Sequence, residues 1–317
     1  MNKLYLFLII FLCGNVYAFT STKILPHHED RSQLHRSTAS DGELIAAYLN
    51  EDYMNTAQDC GGNPAFLCSG ILIRGTDTYS DAYHSWDPSP DSQNSGGVSF
   101  SYLRADSKFN HLTYSYNNGF IFYPDFYEPD YQTNDMDIMC SFPLDGWTNS
   151  RQDGGCGSHW EYEQESIPCQ EQDITTAQQW YEHYQAAPEG NVGPYICGFD
   201  VDDDSSYDTT DAFNQTILAM ALLGDVSFNG HNELRLRTWA QGLQDTLPLE
   251  AFFYIAGSSE GLDSAQKNQL DFYNSTSQNI WVPVIELRLP QEASEDATFT
   301  YDPAAQLVEE PSQRITR

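Results

Sequence analysis

Ile73-Arg74-Gly75-Thr76 closes an apolar run, and Ser99-Phe100-Ser101 follows some 25 residues on, preceded by Gly96-Gly97. Further along, Glu161-Tyr162-Glu163-Gln164-Glu165 sets carboxylates two apart between Cys156 and Cys169. An arginine at a strand end offers a planar fork that suits a phosphate or a ribose. A serine on a strand can orient both a ribose hydroxyl and a catalytic carboxylate. Cleavage of a nicotinamide–ribose bond passes through an oxocarbenium-like state, which a nearby carboxylate stabilises electrostatically. A second carboxylate two residues away can act on the incoming nucleophile. Together the three groups suit chemistry on NAD. Each also has an ordinary explanation: a strand-end arginine paired with one of many acids, solvent-facing serines of an alternating strand, a solvated run of glutamates. Glu233, in His231-Asn232-Glu233, is the reserve carboxylate; its ordinary role is to offset the dipole at the start of a helix.

A second constellation is acidic. From Asp200 to Asp211, oxygens fall at loop positions 1, 3, 5, 7, 9 and 12, with Asp200, Asp202, Asp204, Asp208 and Asp211 as the carboxylates. Calcium takes six to eight oxygens from such a loop, so a structural calcium ion is one reading. Ser205 stands where the sharp turn wants glycine, and Asp211 is shorter than the usual bidentate glutamate. The other reading is an exposed loop in which Asp211 caps the next helix. Zinc is not favoured without a Cys-x-x-Cys pair, His-Glu-x-x-His is absent, and a Ser-His-Asp hydrolase is not expected, on the reading that the chain has no Gly-x-Ser-x-Gly. A non-catalytic secreted binder or adhesin is the alternative class.

These residues need elements to hold them. Helical spacing predicts a helix over Asp41–Tyr53, one capped by Thr175 or Thr176 and running to Tyr184, one over Ala212–Leu223, one over Asp263–Tyr273, and a weaker one over Asn232–Leu243. Strands are expected within Phe66–Arg74, Val98–Leu103, Leu112–Tyr123, Ala251–Ala256 and Trp281–Leu289. Asp145–Cys169 reads as a long loop pinned by disulfides. The mixture predicts an α+β fold, with one catalytic domain over 41–290, a flexible leader over 19–40 and a disordered acidic tail over 291–317.

The first 18 residues have a basic residue, Lys3, an apolar stretch from Leu4 to Cys13, and Val16-Tyr17-Ala18 as a cleavage site, the pattern of a signal peptide. The apolar stretch is shorter than the roughly 20 residues that span a bilayer, so secretion without membrane insertion is expected. Loss of Cys13 leaves Cys60, Cys68, Cys140, Cys156, Cys169 and Cys197, an even set that reads as disulfides with 15 possible pairings. A net charge of -32 excludes non-specific attraction to nucleic acid or anionic membranes.

The order arginine, Ser-x-Ser, Glu-x-Glu resembles the arginine–serine–glutamate signature of ADP-ribosyltransferase toxins. That resemblance implies an ADP-ribosyltransferase-like mixed sheet with flanking helices. Arg74 with Gly75, and Ser99 with Ser101, would contact NAD, while Glu163 or Glu165 would be catalytic. Phe100 departs from the small middle residue of the serine motif, and three alternating glutamates leave the catalytic one open. The stretches CSGILIRGTDTYSDAYHSWDPSPDSQNSGGVSFSYLRADSKF, NGFIFYP, DGWTNSRQDGGCG, NELRLRTWAQGL and WVPVIEL resemble the secreted halovibrin proteins of marine vibrios, from about Cys68 to Leu289. This likeness implies NAD glycohydrolysis or transfer of ADP-ribose to a protein acceptor.

Overall fold

Alternation of apolar and polar residues builds the centre of the molecule. The computed structural model describes residues 42–57, 65–88, 90, 97–122, 136–146, 156, 168–189, 192, 195–200, 209–238 and 249–311. Within them lie strands β1 (Ile71–Thr76), β2 (Val98–Leu103), β3 (Asn118–Phe122), β4 (Met136–Phe142), β5 (Phe199–Asp200), β6 (Glu233–Thr238), β7 (Leu249–Ile255), β8 (Val284–Arg288) and β9 (Thr298–Tyr301). They form one mixed sheet in the order β5-β4-β6-β2-β1-β3-β7-β8-β9. Only β7 and β8 pair in parallel, joined by a helical crossover. The helices are α1 (Gly42–Met54), α2 (Ala177–Gln185), α3 (Thr209–Leu223), α4 (Asp225–Asn229) and α5 (Ser259–Ser275). The fold is therefore α+β.

Successive strand residues point to opposite faces, and the core divides accordingly. Leu72, Phe120, Phe122, Phe252 and Val284 belong to one buried cluster; Ile71, Ile73, Ile121, Phe253 and Ile285 belong to the other. Helix α5 closes the first, its Phe272 ring 6.0 Å from Phe252 and 5.0 Å from Trp86. Helix α1 closes the second through Ile45, Leu49 and Tyr53, spaced one helical turn apart. Full burial of each such side chain contributes about 1.5–3 kcal/mol. Helix α2 starts at Thr176, where the hydroxyl accepts from Gln179 N and the Gln179 side chain returns the bond, a reciprocal cap.

Three expectations are corrected. The helix expected over 232–243 is strand β6 up to Thr238: Glu233-Leu234-Arg235-Leu236 alternates with period two, and Leu234 and Leu236 sit in the core. The strand expected from Leu112 begins only at Asn118, because Tyr114 and Ser115 adopt positive φ of 52° and 56° in a tight turn. The acidic tail is not disordered up to residue 311. Strand β9 pairs with β8, and Phe299 is buried against α1. The Asn50 amide donates to Phe299 O at 2.7 Å and accepts from its N–H at 3.1 Å, so a helix side chain satisfies the outer edge of the last strand.

Two disulfides are resolved in full, Cys140–Cys156 and Cys169–Cys197; Cys68 is also disulfide-bonded, its partner lying outside the described residues. No helix among the described residues is long and apolar enough to cross a membrane. The leader, including the expected signal peptide, lies outside them.

Candidate functional site

A fork in the sheet positions the residues of interest. The β1–β2 ladder covers Ile71↔Leu103, Leu72↔Tyr102 and Ile73↔Ser101. Beyond it, β1 continues on β3 through Arg74↔Phe120, Gly75↔Gly119 and Thr76↔Asn118. Strand β2 instead continues on β6 through Phe100↔Leu234, Ser99↔Arg235 and Val98↔Leu236. Arg74 thus starts one prong and Ser99 lies on the other.

The two side chains leave the sheet on opposite faces. Arg74 shares the side of Phe100, its guanidinium carbon 5.9 Å from that ring's centroid. Ser99, the next residue along, points the other way with its cross-strand partner Arg235. A ligand that touches both Arg74 and Ser99 must cross the rim of the fork. Ser101 is buried and faces Ile73, so it is not presented to a ligand.

Ser99 meets a carboxylate of another strand. Its hydroxyl donates to Glu233 Oε1, and the backbone N–H of Gly146 donates to Glu233 Oε2 at 2.9 Å. Glu233 is 2 % exposed, and half-buried Ser99 lies on its outer side. Its neighbour Asn232 fixes β2 from the same segment, donating to Tyr102 O and accepting from Tyr102 N, both at 2.7 Å. His231 precedes them, with Nε2 between Thr113 Oγ1 and Asp145 Oδ2. Burial, and then the neighbouring charge of His231, hold His111 below the usual imidazole range.

At Gly75 strand β1 and the loop carrying Tyr116 approach closely. A Cβ there would lie 2.9 Å from Tyr116 Cβ, and a Cβ on Gly119 opposite would overlap the Arg74 carbonyl. Beyond Gly75 an open cleft of about 330 Å³ is lined by Thr76, Asp77, Thr78 and residues 114–117. Tyr114 is 81 % exposed at its edge. Burial raises the Tyr116 hydroxyl above its usual range, Asp77 adds to this, and Arg74 opposes it.

The glutamates expected to be catalytic, Glu163 and Glu165, lie outside the described residues. The base of their loop does not: Cys156 O accepts from Gly198 N at 2.7 Å, and Cys169 N donates to Gly198 O at 3.0 Å. A Cβ on Gly198 would lie 2.7 Å from the ring of Phe142, the cross-strand partner of Glu233. Cys156 and Cys169, which flank that segment, are thus held near the β4–β6 pair. Of the acidic loop, Asp202, Asp204 and Asp208 also lie outside. Asp200 is bonded through its backbone to Gln170, and Asp211 is exposed in the first turn of α3.

Two other groups are committed to structure. Arg104 makes a two-pronged pair with Asp106 at 2.6 and 2.9 Å and bonds Ala57 O and Ser69 Oγ. Gly257-Ser258-Ser259-Glu260-Gly261 has nucleophile-elbow spacing between β7 and α5, which corrects the expectation that the chain has no Gly-x-Ser-x-Gly. Here Ser258 is the helix cap, accepting from Gly261 N at 3.0 Å, and the positive φ belongs to Gly257 rather than a serine. Among the described residues no histidine is hydrogen-bonded to Ser258 or to Ser259, the central serine of the motif.

Sequence reasoning kept Glu233 in reserve for a helix start. The signal that places it correctly is the two-residue period of Glu233 and Arg235 against Leu234 and Leu236. No family model matches this chain, and no curated protein is significantly similar to it.

Proposed function

We propose that this chain is a secreted NAD-consuming enzyme of the halovibrin-like, ADP-ribosyltransferase type that cleaves the nicotinamide–ribose bond. One observation carries the reading: Arg74, Ser99 and Glu233 occur on adjacent strands, β1, β2 and β6, in the sequence order arginine, serine, glutamate. In this reading Glu233 takes the role expected of Glu163 or Glu165. The residue two before it is His231, so the Glu-x-Glu pattern is not reproduced at this position. Water is accordingly the favoured acceptor, and transfer to a protein the lesser one.

The Arg74 guanidinium would hold the NAD diphosphate at the rim, leaving the ribose toward the Ser99–Glu233 pair. The C1′–N bond breaks with its electron pair leaving on nicotinamide, whose ring is thereby neutralised. Positive charge develops on the ribose, and a carboxylate held by two donors needs no reorientation to stabilise it. Water then adds to C1′ and loses a proton, giving ADP-ribose. The disulfides and the acidic composition fit an enzyme working in an oxidising compartment.

The test is direct. Purified, oxidised protein is incubated with NAD, and nicotinamide and ADP-ribose are separated by chromatography. Equimolar release of both supports hydrolysis, whereas nicotinamide without free ADP-ribose points to a protein acceptor. Recovery of intact NAD at high enzyme concentration contradicts the proposal and leaves the binding-protein alternative.

A further inference from the structure

His231 touches three separate parts of the site. Its ring Nε2 lies 2.5 Å from Thr113 Oγ1 and 3.2 Å from Asp145 Oδ2. Its carbonyl accepts from Asp145 N at 3.0 Å. The very next peptide, Gly146 N–H, is the one that donates to Glu233 Oε2. Asp145 is thus fastened to His231 by main chain and side chain, and the residue after it meets the carboxylate. Through the same Nε2 the imidazole holds Thr113, which opens the turn that presents Tyr114 to the cleft. Phe109 and His111 stand edge-on to the ring, with centroids 6.3 and 6.2 Å away. Nδ1 is buried without a hydrogen-bond partner among the described residues.

We infer that His231 is a positioning residue: it locks the Asp145–Gly146 turn onto the Glu233 carboxylate and couples that carboxylate to the tyrosine turn at the cleft. The inference rests on the proposed role of Glu233. The Ser99 hydroxyl reaches one oxygen of the carboxylate and the Gly146 N–H the other. With the Gly146 N–H fixed, both oxygens are directed. Displacing a reacting group by about 1 Å costs on the order of 100-fold in rate. Release of the turn should therefore lower kcat, while the NAD contacts proposed for Arg74 leave KM nearly unchanged.

His231→Ala and the near-isosteric Asp145→Asn are compared with wild type by two measurements. Hydrogen exchange of the Gly146 amide, followed by NMR, needs no substrate. Both variants are expected to exchange at Gly146 on the order of tenfold faster, with the α5 amides unchanged. Steady-state nicotinamide release is expected to show kcat reduced on the order of 10- to 100-fold with KM within twofold. Unchanged Gly146 exchange in a folded variant overturns the inference, as does an equal loss in kcat and gain in KM. If His231→Ala does not fold, Asp145→Asn decides alone. If wild type releases no nicotinamide, the NAD reading fails by itself, and Gly146 exchange still judges the lock.

Discussion

The Ser99–Glu233 bond joins two strands of the fork and can be weighed by a double-mutant cycle. Ser99→Ala removes a hydroxyl that donates to a buried carboxylate oxygen. Hydrogen bonds to charged groups contribute about 1.5–3 kcal/mol, and half-buried Ser99 lies toward the lower end. Glu233→Gln keeps the shape and one carbonyl oxygen but turns an NH2 toward either Ser99 or Gly146 N–H. The Ser99 hydroxyl can turn to accept from that NH2, so charge-assisted bonds are exchanged for neutral ones at a cost of about 1–2 kcal/mol. If the two side chains meet as described, the costs are not additive: the coupling energy should be about 1–2 kcal/mol. Urea unfolding of the four oxidised proteins, with m-values checked for constancy, gives the cycle. A coupling below about 0.5 kcal/mol, the ordinary error of additivity, would refute the contact and with it the placement of Glu233 beside Ser99.

Three further outcomes are expected. In the chain-entropy treatment, Cys169→Ala with Cys197→Ala opens a loop of separation 28 and should cost about 3.6 kcal/mol, against about 3 kcal/mol for the pair separated by 16; chemical denaturation should rank them in that order. Gly119→Ala puts a methyl into the Arg74 carbonyl and should cost about 1–3 kcal/mol or more, with loss of any activity that depends on Arg74; an unchanged melting temperature would contradict the β1–β3 register. Burial pushes the Tyr102 hydroxyl up to about 12, against the partly compensating nearness of Arg104. A raised pKa leaves stability intact below about pH 10 and removes it as pH climbs from there through 12, up to about 2–3 kcal/mol for this one group. Tyr102→Phe should flatten that alkaline limb of the stability curve.

Elements with long, regular periods were legible in the sequence. The existence of α1, a threonine cap at 175 or 176 and strand β2 declare themselves locally, although the buried face of α1 runs through Ile45, Leu49 and Tyr53 rather than Leu44 and Tyr48. Strand β6 did not, because Asn232-Glu233 imitates a helix start when read alone. Its strand character is set by partners on both sides, β2 and β4, far away in sequence. Strand β9 was hidden by the acids around it; four residues with one inward phenylalanine carry little periodicity, and the Asn50 amide that satisfies its backbone is 249 positions away. Of the candidate site, the types and order of Arg74 and Ser99 were readable, but not their opposite facing. That follows from where the β1–β2 ladder stops, which depends on which neighbour each strand keeps.

The carboxylate assignment is the centre of the account, and single-turnover nicotinamide release from NAD tests it most directly. Wild type, Glu233→Gln and the double variant Glu163→Gln/Glu165→Gln are compared, each confirmed folded by near-ultraviolet circular dichroism. The account predicts that Glu233→Gln loses at least about 100-fold in rate, consistent with removal of an electrostatic transition-state stabiliser, while the double variant stays within a few-fold of wild type. Full activity in Glu233→Gln, with loss in the double variant, would contradict it and return the chemistry to Glu163 and Glu165.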